Sequence, residues 1–110
     1  MFHMLTCFDL KPDVEIGAFR AAYSDFVAHM RSIDLVAGTG PIGRRQSDTP
    51  MDTDGEQEHQ YFVIMTFRDR AQVDAAYALL ATHAEPADSA HDAIYSKIRN
   101  QIFICWQDIE

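Results

Sequence analysis

Histidine and tyrosine are the side chains of this chain best suited to general acid–base chemistry: an imidazole near its resting pKa as the base, with a phenol hydroxyl steadying an enolate or phenolate. Five histidines and four tyrosines are present. His3 opens an apolar stretch and His83 stands where a helical pattern ends. Tyr23 and Tyr77 fall on helical stripes, and Tyr61 heads a second apolar stretch. None of them sits in a motif that demands chemistry. A histidine at a strand start is commonly satisfied by a local hydrogen bond, and one at a helix end is favoured by the macrodipole. A tyrosine at helical spacing is ordinarily a core residue whose hydroxyl reaches the edge.

The other polar candidates point less clearly to a site. His29 belongs to an amphipathic helix and His59 lies in a polar stretch. His91 is followed by Asp92, but adjacent helical residues diverge in direction, so the pair does not suit a metal. Haem would require an axial ligand from His83 or His91. No metal and no cofactor is therefore expected. Arg44 and Arg45 could hold an anion, but on a strand they point to opposite faces, and pairing with surplus acids is the simpler use. Cys7 and Cys105 lie in apolar strands without zinc or redox spacing and read as buried, reduced thiols.

The elements that would position these groups follow from hydrophobic periodicity. Phe2 to Phe8, Tyr61 to Phe67 and Ile102 to Trp106 read as strands apolar on both faces. Ile16, Phe19, Tyr23, Phe26, Val27, Met30 and Ile33 form the apolar stripe of a first helix, which Asp13 is placed to cap. Val73, Ala76, Tyr77 and Leu80 mark a second helix, with Asp69 and Gln72 as a capping pair. A short helical segment from Asp88 or Ser89 carries Ile94, Tyr95 and Ile98. Leu35 to Gln46, with Gly38, Gly40, Pro41 and Gly43, reads as an irregular edge strand. Ser47 to Glu58 is a polar, flexible loop.

The chain has 110 residues and a formal charge of −8. That length suits one domain, residues 1–110, and the charge argues against a nucleic-acid backbone as partner. No apolar run approaches the roughly 20 residues of a membrane span, and the start lacks the zones of a signal peptide, so a soluble cytoplasmic protein without membrane contact is expected.

Strand, helix, strand, strand, helix, strand is the order of an α+β, ferredoxin-like βαββαβ sandwich, a four-stranded antiparallel sheet with helices on one face. The sequence supplies only enough helix to cover that one face. A second copy is the economical cover for the other, giving a homodimer.

His-Met-Leu-Thr-Cys-Phe-Asp-Leu-Lys-Pro at 3 to 12, Phe67-Arg68-Asp69 entering the second helix and Ser96-Lys97-Ile98 before the last apolar strand resemble the dimeric α+β barrel superfamily. Phe8-Asp9-Leu10-Lys11 and Ser96-Lys97-Ile98-Arg99-Asn100 are most similar to its stress-responsive barrel group and to an uncharacterised bacterial family. The superfamily includes small monooxygenases, haem-degrading enzymes, isomerases and cyclases, so the resemblance implies a fold rather than one reaction. It implies a pocket between sheet and helices, faced by His3, Leu5 and Cys7 on the first strand and by Tyr61, Val63, Met65 and Phe67 on the third. Met4, Thr6 and Phe8 would then face the partner, with Ile64 and Trp106 in the same interface. Likeness to the cyclase branch implies His3 and His83 as candidate catalytic residues and Tyr23 and Tyr77 as ligand contacts, to which the superfamily's strand pattern adds Tyr61. Three readings result: a binder of a small apolar or aromatic ligand, a cofactor-independent monooxygenase or isomerase/cyclase, and a purely structural or regulatory dimer.

Overall fold

A computed structural model describes residues 1–109. Its elements run β1 (Phe2–Leu10), α1 (Ile16–Ser32), β2 (Gly38–Thr39), β3 (Gly43–Arg44), β4 (Tyr61–Phe67), α2 (Arg70–Ala81), α3 (Ala87–Tyr95) and β5 (Ile98–Gln107). The strands form one antiparallel sheet in the order β2-β4-β1-β5, with β3 also pairing with β4. This is the expected α+β, ferredoxin-like arrangement. The edge strand read from Leu35 to Gln46 is split in two, which makes the sheet five-stranded. Pro41, lacking an N–H, falls in the gap between the two short pairs.

The helices cover one side of the sheet, where Phe8, Phe19, Met30 and Val73 are the most enclosed large side chains. Burying each such group is worth about 1.5 to 3 kcal/mol. The Phe8 and Phe19 rings lie 4.4 Å apart, joining β1 to α1. Asp69 caps α2 by accepting from the Gln72 N–H at 2.8 Å, while the Gln72 side chain accepts from the Arg68 N–H at 2.6 Å and donates to the Asp34 carbonyl at 3.0 Å. This box therefore also ties the turn after α1 to the start of α2. Asp13 does not cap α1. It turns the chain with φ 66°, and Glu15 takes the N-cap position without a side-chain bond.

The register corrects the expected faces of β1. Met4 lies opposite Met65, Thr6 opposite Val63 and Phe8 opposite Tyr61, and directly opposed residues share a face. Phe2, Met4, Thr6 and Phe8 thus point to the helices, and His3, Leu5 and Cys7 point away. Met4 and Phe8 are not on the exposed sheet face assigned to a partner, because the helices already cover their side: Phe8 meets Phe19 of α1 and Met4 meets Tyr77 of α2. Ile64 and Trp106 keep that assignment. Cys105 is also corrected: it is exposed, and it pairs with Met4 across the sheet from buried Cys7.

Among the described residues no helix covers the other sheet face. Ile104 is 51%, Trp106 39% and Ile64 37% exposed. The molecule is accordingly a slab of 41 × 41 × 20 Å. Only the end of this face near Cys7, Phe62 and Ile102 is bordered by the loop after β3. Arg45 organises that loop, donating to both carboxylate oxygens of Asp52 at 2.9 and 2.7 Å, to the Asp54 carbonyl at 2.6 Å and to the Gln57 carbonyl.

Candidate functional site

Between the sheet and the helices lies a cavity of about 410 Å³, within the size range of small-molecule sites. Its floor is Met4, Thr6, Val63, Met65 and Phe67 from β1 and β4, with Phe103 from β5 at the edge. Phe19, Tyr23, Phe26 and Met30 of α1 form one wall, Ala76, Tyr77 and Leu80 of α2 a second, and His91, Ile94 and Tyr95 of α3 a third. Tyr77 and Phe103 are the lining residues most open to solvent, 49% and 42%, and mark the mouth.

The stripe spacing on α1 sets this geometry. Phe19, Tyr23, Phe26 and Met30 share one face of a 3.6-residue helix, so packing that face on the sheet delivers all four to the cavity together. The Phe19 and Tyr23 rings stack at 5.7 Å.

The lining is apolar apart from a few groups. The Thr39 hydroxyl donates to the Ile64 carbonyl at 2.9 Å, so the Tyr23 hydroxyl is the donor to Thr39 Oγ1 at 2.7 Å. Burial pushes the Tyr23 phenol up to about 12, partly offset by that hydrogen bond. The Tyr77 hydroxyl contacts the Met4 sulfur at 3.8 Å, and its pKa is raised, chiefly by burial. Burial also takes the Tyr95 phenol to about 12. His91 lies between Phe26 and Tyr95, with ring centroids at 5.6 and 4.5 Å. Burial lowers its pKa against the opposing pull of Asp92 and Asp88, which favours the neutral form of the ring.

Of the residues singled out in the sequence, Tyr23 and Tyr77 meet at this cavity. Tyr61 lies along the same strand, but its ring packs on Phe8 at 5.6 Å beneath the Arg44 guanidinium, outside the cavity lining. His3 is on the far side of the sheet. There its ring stacks on Trp106 at 5.2 Å, Nε2 donates to Asp108 at 2.8 Å, and the Thr66 hydroxyl stands 3.5 Å from Nδ1. His83 follows α2 with φ 57°, its side chain 78% exposed and its Nδ1 2.9 Å from Asp88. Among the described residues there are thus two histidine–carboxylate pairs, and both lie outside the cavity.

The histidine inside the cavity is His91, which sequence reasoning passed over with Tyr95. A signal was available. Residues four apart on a helix share a face, and Tyr95 already belonged to the apolar stripe of the third helical segment. Among the described residues no cluster of histidine, cysteine and carboxylate side chains is arranged to hold a metal, and no helix is long and apolar enough to cross a membrane.

A family described as of unknown function, DUF6614, matches residues 1–109. No curated protein matches the sequence. Solved structures share the fold at low identity. The protein At3g17210 of Arabidopsis thaliana superposes with a TM-score of 0.75 at 10% identity, over 100% of this chain and 97% of its own. An antibiotic biosynthesis monooxygenase gives a TM-score of 0.61 at 15% identity over 100% of both chains. A dimeric ferredoxin-like protein of unknown function from Jannaschia sp. CCS1 gives 0.62 at 14%, over 97% of this chain and 98% of that one. Such identities establish a common fold, in keeping with the resemblance carried by the sequence motifs.

Proposed function

Since this chain belongs to DUF6614, a family without an assigned function, we propose its role from its own cavity: it binds a small apolar or aromatic molecule between the sheet and the helices. The observation that carries this is a space of about 410 Å³ walled by aromatic and methionine side chains and held open within an otherwise closely packed core. Protein interiors pack to the density of organic crystals, and a void of this size forfeits contact energy unless something fills it. Tyr23 and Tyr77 contact the ligand, the first from α1 and the second at the mouth. Tyr61 supports Phe8, and His3 and His83 take no part in ligand contact.

The working unit is a homodimer. Ile64, Ile104 and Trp106 form an apolar face too extensive to leave wet, and dimeric ferredoxin-like neighbours support a second copy as its cover. The enzymatic alternative, acid–base chemistry by His3 or His83, would require a substrate to reach those residues outside the cavity. Support for that reading comes from the likeness to the cyclase branch and from the fold of the monooxygenase neighbour.

Direct binding of methylnaphthalene, followed by calorimetry, tests the proposal. Saturable binding to the wild type and its loss in Ala76→Phe, which fills the cavity from α2, is the expected result. Absence of binding to the folded wild type would sink the assignment.

A further inference from the structure

The cavity's polar groups say what kind of molecule it accepts. Among the described residues no carboxylate, ammonium or guanidinium lines it. A charged ligand would therefore enter without a counter-charge and lose its hydration, which argues for a neutral one. The Tyr23 hydroxyl has committed its hydrogen to Thr39, and Tyr77 leans on the Met4 sulfur.

The α3 wall differs. Among the described residues no hydrogen-bond partner reaches either ring nitrogen of His91 or the hydroxyl of Tyr95, while every fully enclosed polar side-chain atom has one. Those atoms are therefore not sealed inside the protein, and both residues line the cavity. The two rings are neighbours, 4.5 Å apart at their centroids and four residues apart on one helix face. Phe26 of α1 also contacts the His91 ring, at a centroid distance of 5.6 Å.

A neutral imidazole carries one nitrogen that can only accept and one that can only donate. The hydroxyls of Thr6 and Tyr95 can do either, so they satisfy many ligand groups. The bare imidazole nitrogen is selective, because it wants a hydrogen. A ligand hydroxyl meets both members of the pair at once, giving its hydrogen to the imidazole and taking one from the phenol. Resting on the cavity being a ligand site, we propose that His91 and Tyr95 form a clamp that recognises a hydroxyl on a neutral aromatic ligand, selecting phenols over hydrocarbons of the same shape. The pair reads the ligand's polar group, and the aromatic and methionine walls take its ring system.

The experiment uses naphthol and methylnaphthalene substituted at the same ring position, which fill nearly the same volume and differ in one hydroxyl. Dissociation constants for both are measured on the wild type, His91→Phe and Tyr95→Phe. In His91→Phe the ratio of the two constants is expected to move about tenfold toward methylnaphthalene, the scale of a lost hydrogen bond with a polar group left unpaired. Tyr95→Phe removes a single atom and is expected to move the ratio the same way, about threefold, so it serves if His91→Phe fails to fold. Retained methylnaphthalene binding in both variants verifies that the cavity is intact. A ratio unchanged by either substitution would overturn the clamp and leave the cavity as a ligand site. Failure of both compounds to bind the wild type would overturn the clamp and the ligand site together.

Discussion

The two sides of the sheet each hold a histidine among aromatic rings, and they use it differently. On the helix-free side His3 is satisfied: Asp108 accepts from one nitrogen, Thr66 stands near the other, and Trp106 stacks on the ring. On the helix side His91 makes tilted ring contacts with Phe26 and Tyr95 and has no hydrogen-bond partner among the described residues. A satisfied imidazole is part of the structure, whereas a desolvated and unpartnered one is available to a ligand. Proximity of a histidine to a carboxylate, the usual mark of a catalytic pair, here marks two places outside the cavity.

The contrast can be broken first at β1. Phe8→Ala should destabilise the protein by about 3 to 5 kcal/mol, because the ring is wholly enclosed against α1. Ile104→Ala, on the open face, should cost far less in the monomer. Denaturant midpoints of the two variants under monomeric conditions measure the difference, and equal losses would contradict the assignment of faces. Next, Ile64→Asp combined with Ile104→Asp should shift the assembly to monomer, since an unpaired carboxylate in a dry interface costs about 3 to 5 kcal/mol. Sedimentation read alongside circular dichroism separates dissociation from unfolding. A double variant that remained dimeric would remove this face as the interface.

Alkaline pH should affect the helix side selectively. Tyr23 and Tyr95 have folded pKa values near 12, raised by burial above an ordinary value of 10.0. A raised folded value means that the stability each phenol contributes is complete below pH 10 and is lost as pH climbs toward 12. The loss is roughly 2 to 3 kcal/mol per phenol. Comparison of denaturation midpoints with those of Tyr23→Phe should show the variant losing less over that interval, and parallel curves would contradict it. The smallest effect is expected from His3→Ala. It should shift stability by no more than about 1 kcal/mol and leave methylnaphthalene affinity in the cavity unchanged. A large fall in affinity would mean that the two sides of the sheet are coupled.

Much of the fold was legible in the residues. The stripe on α1, the Asp69–Gln72 box and the three apolar strands all appear where local periodicity and capping chemistry put them. Tyr23 and Tyr77 likewise reach the cavity because helix period alone fixes the face they share with their neighbours. The faces of β1 were not legible in this way. His-Met-Leu-Thr-Cys-Phe is apolar on both sides, so its alternation carries no marker of inside and outside, and a one-residue change of parity exchanges every side chain. Pairing of Met4 with Met65 and of Phe8 with Tyr61 removes the ambiguity.

The amino-acid sequence by itself determined the element order, the helix faces and the excess of apolar strand surface, because these depend on periodicities within a few residues. Tertiary structure alone decided which side of β1 meets the helices, that Asp108 claims His3, and that α3 swings His91 and Tyr95 over the cavity. Those outcomes depend on contacts between segments 65 to 105 residues apart, such as Phe26 with His91 and His3 with Asp108. No local pattern encodes such meetings; they arise when the strands align and the helices fill the side of the sheet they cover.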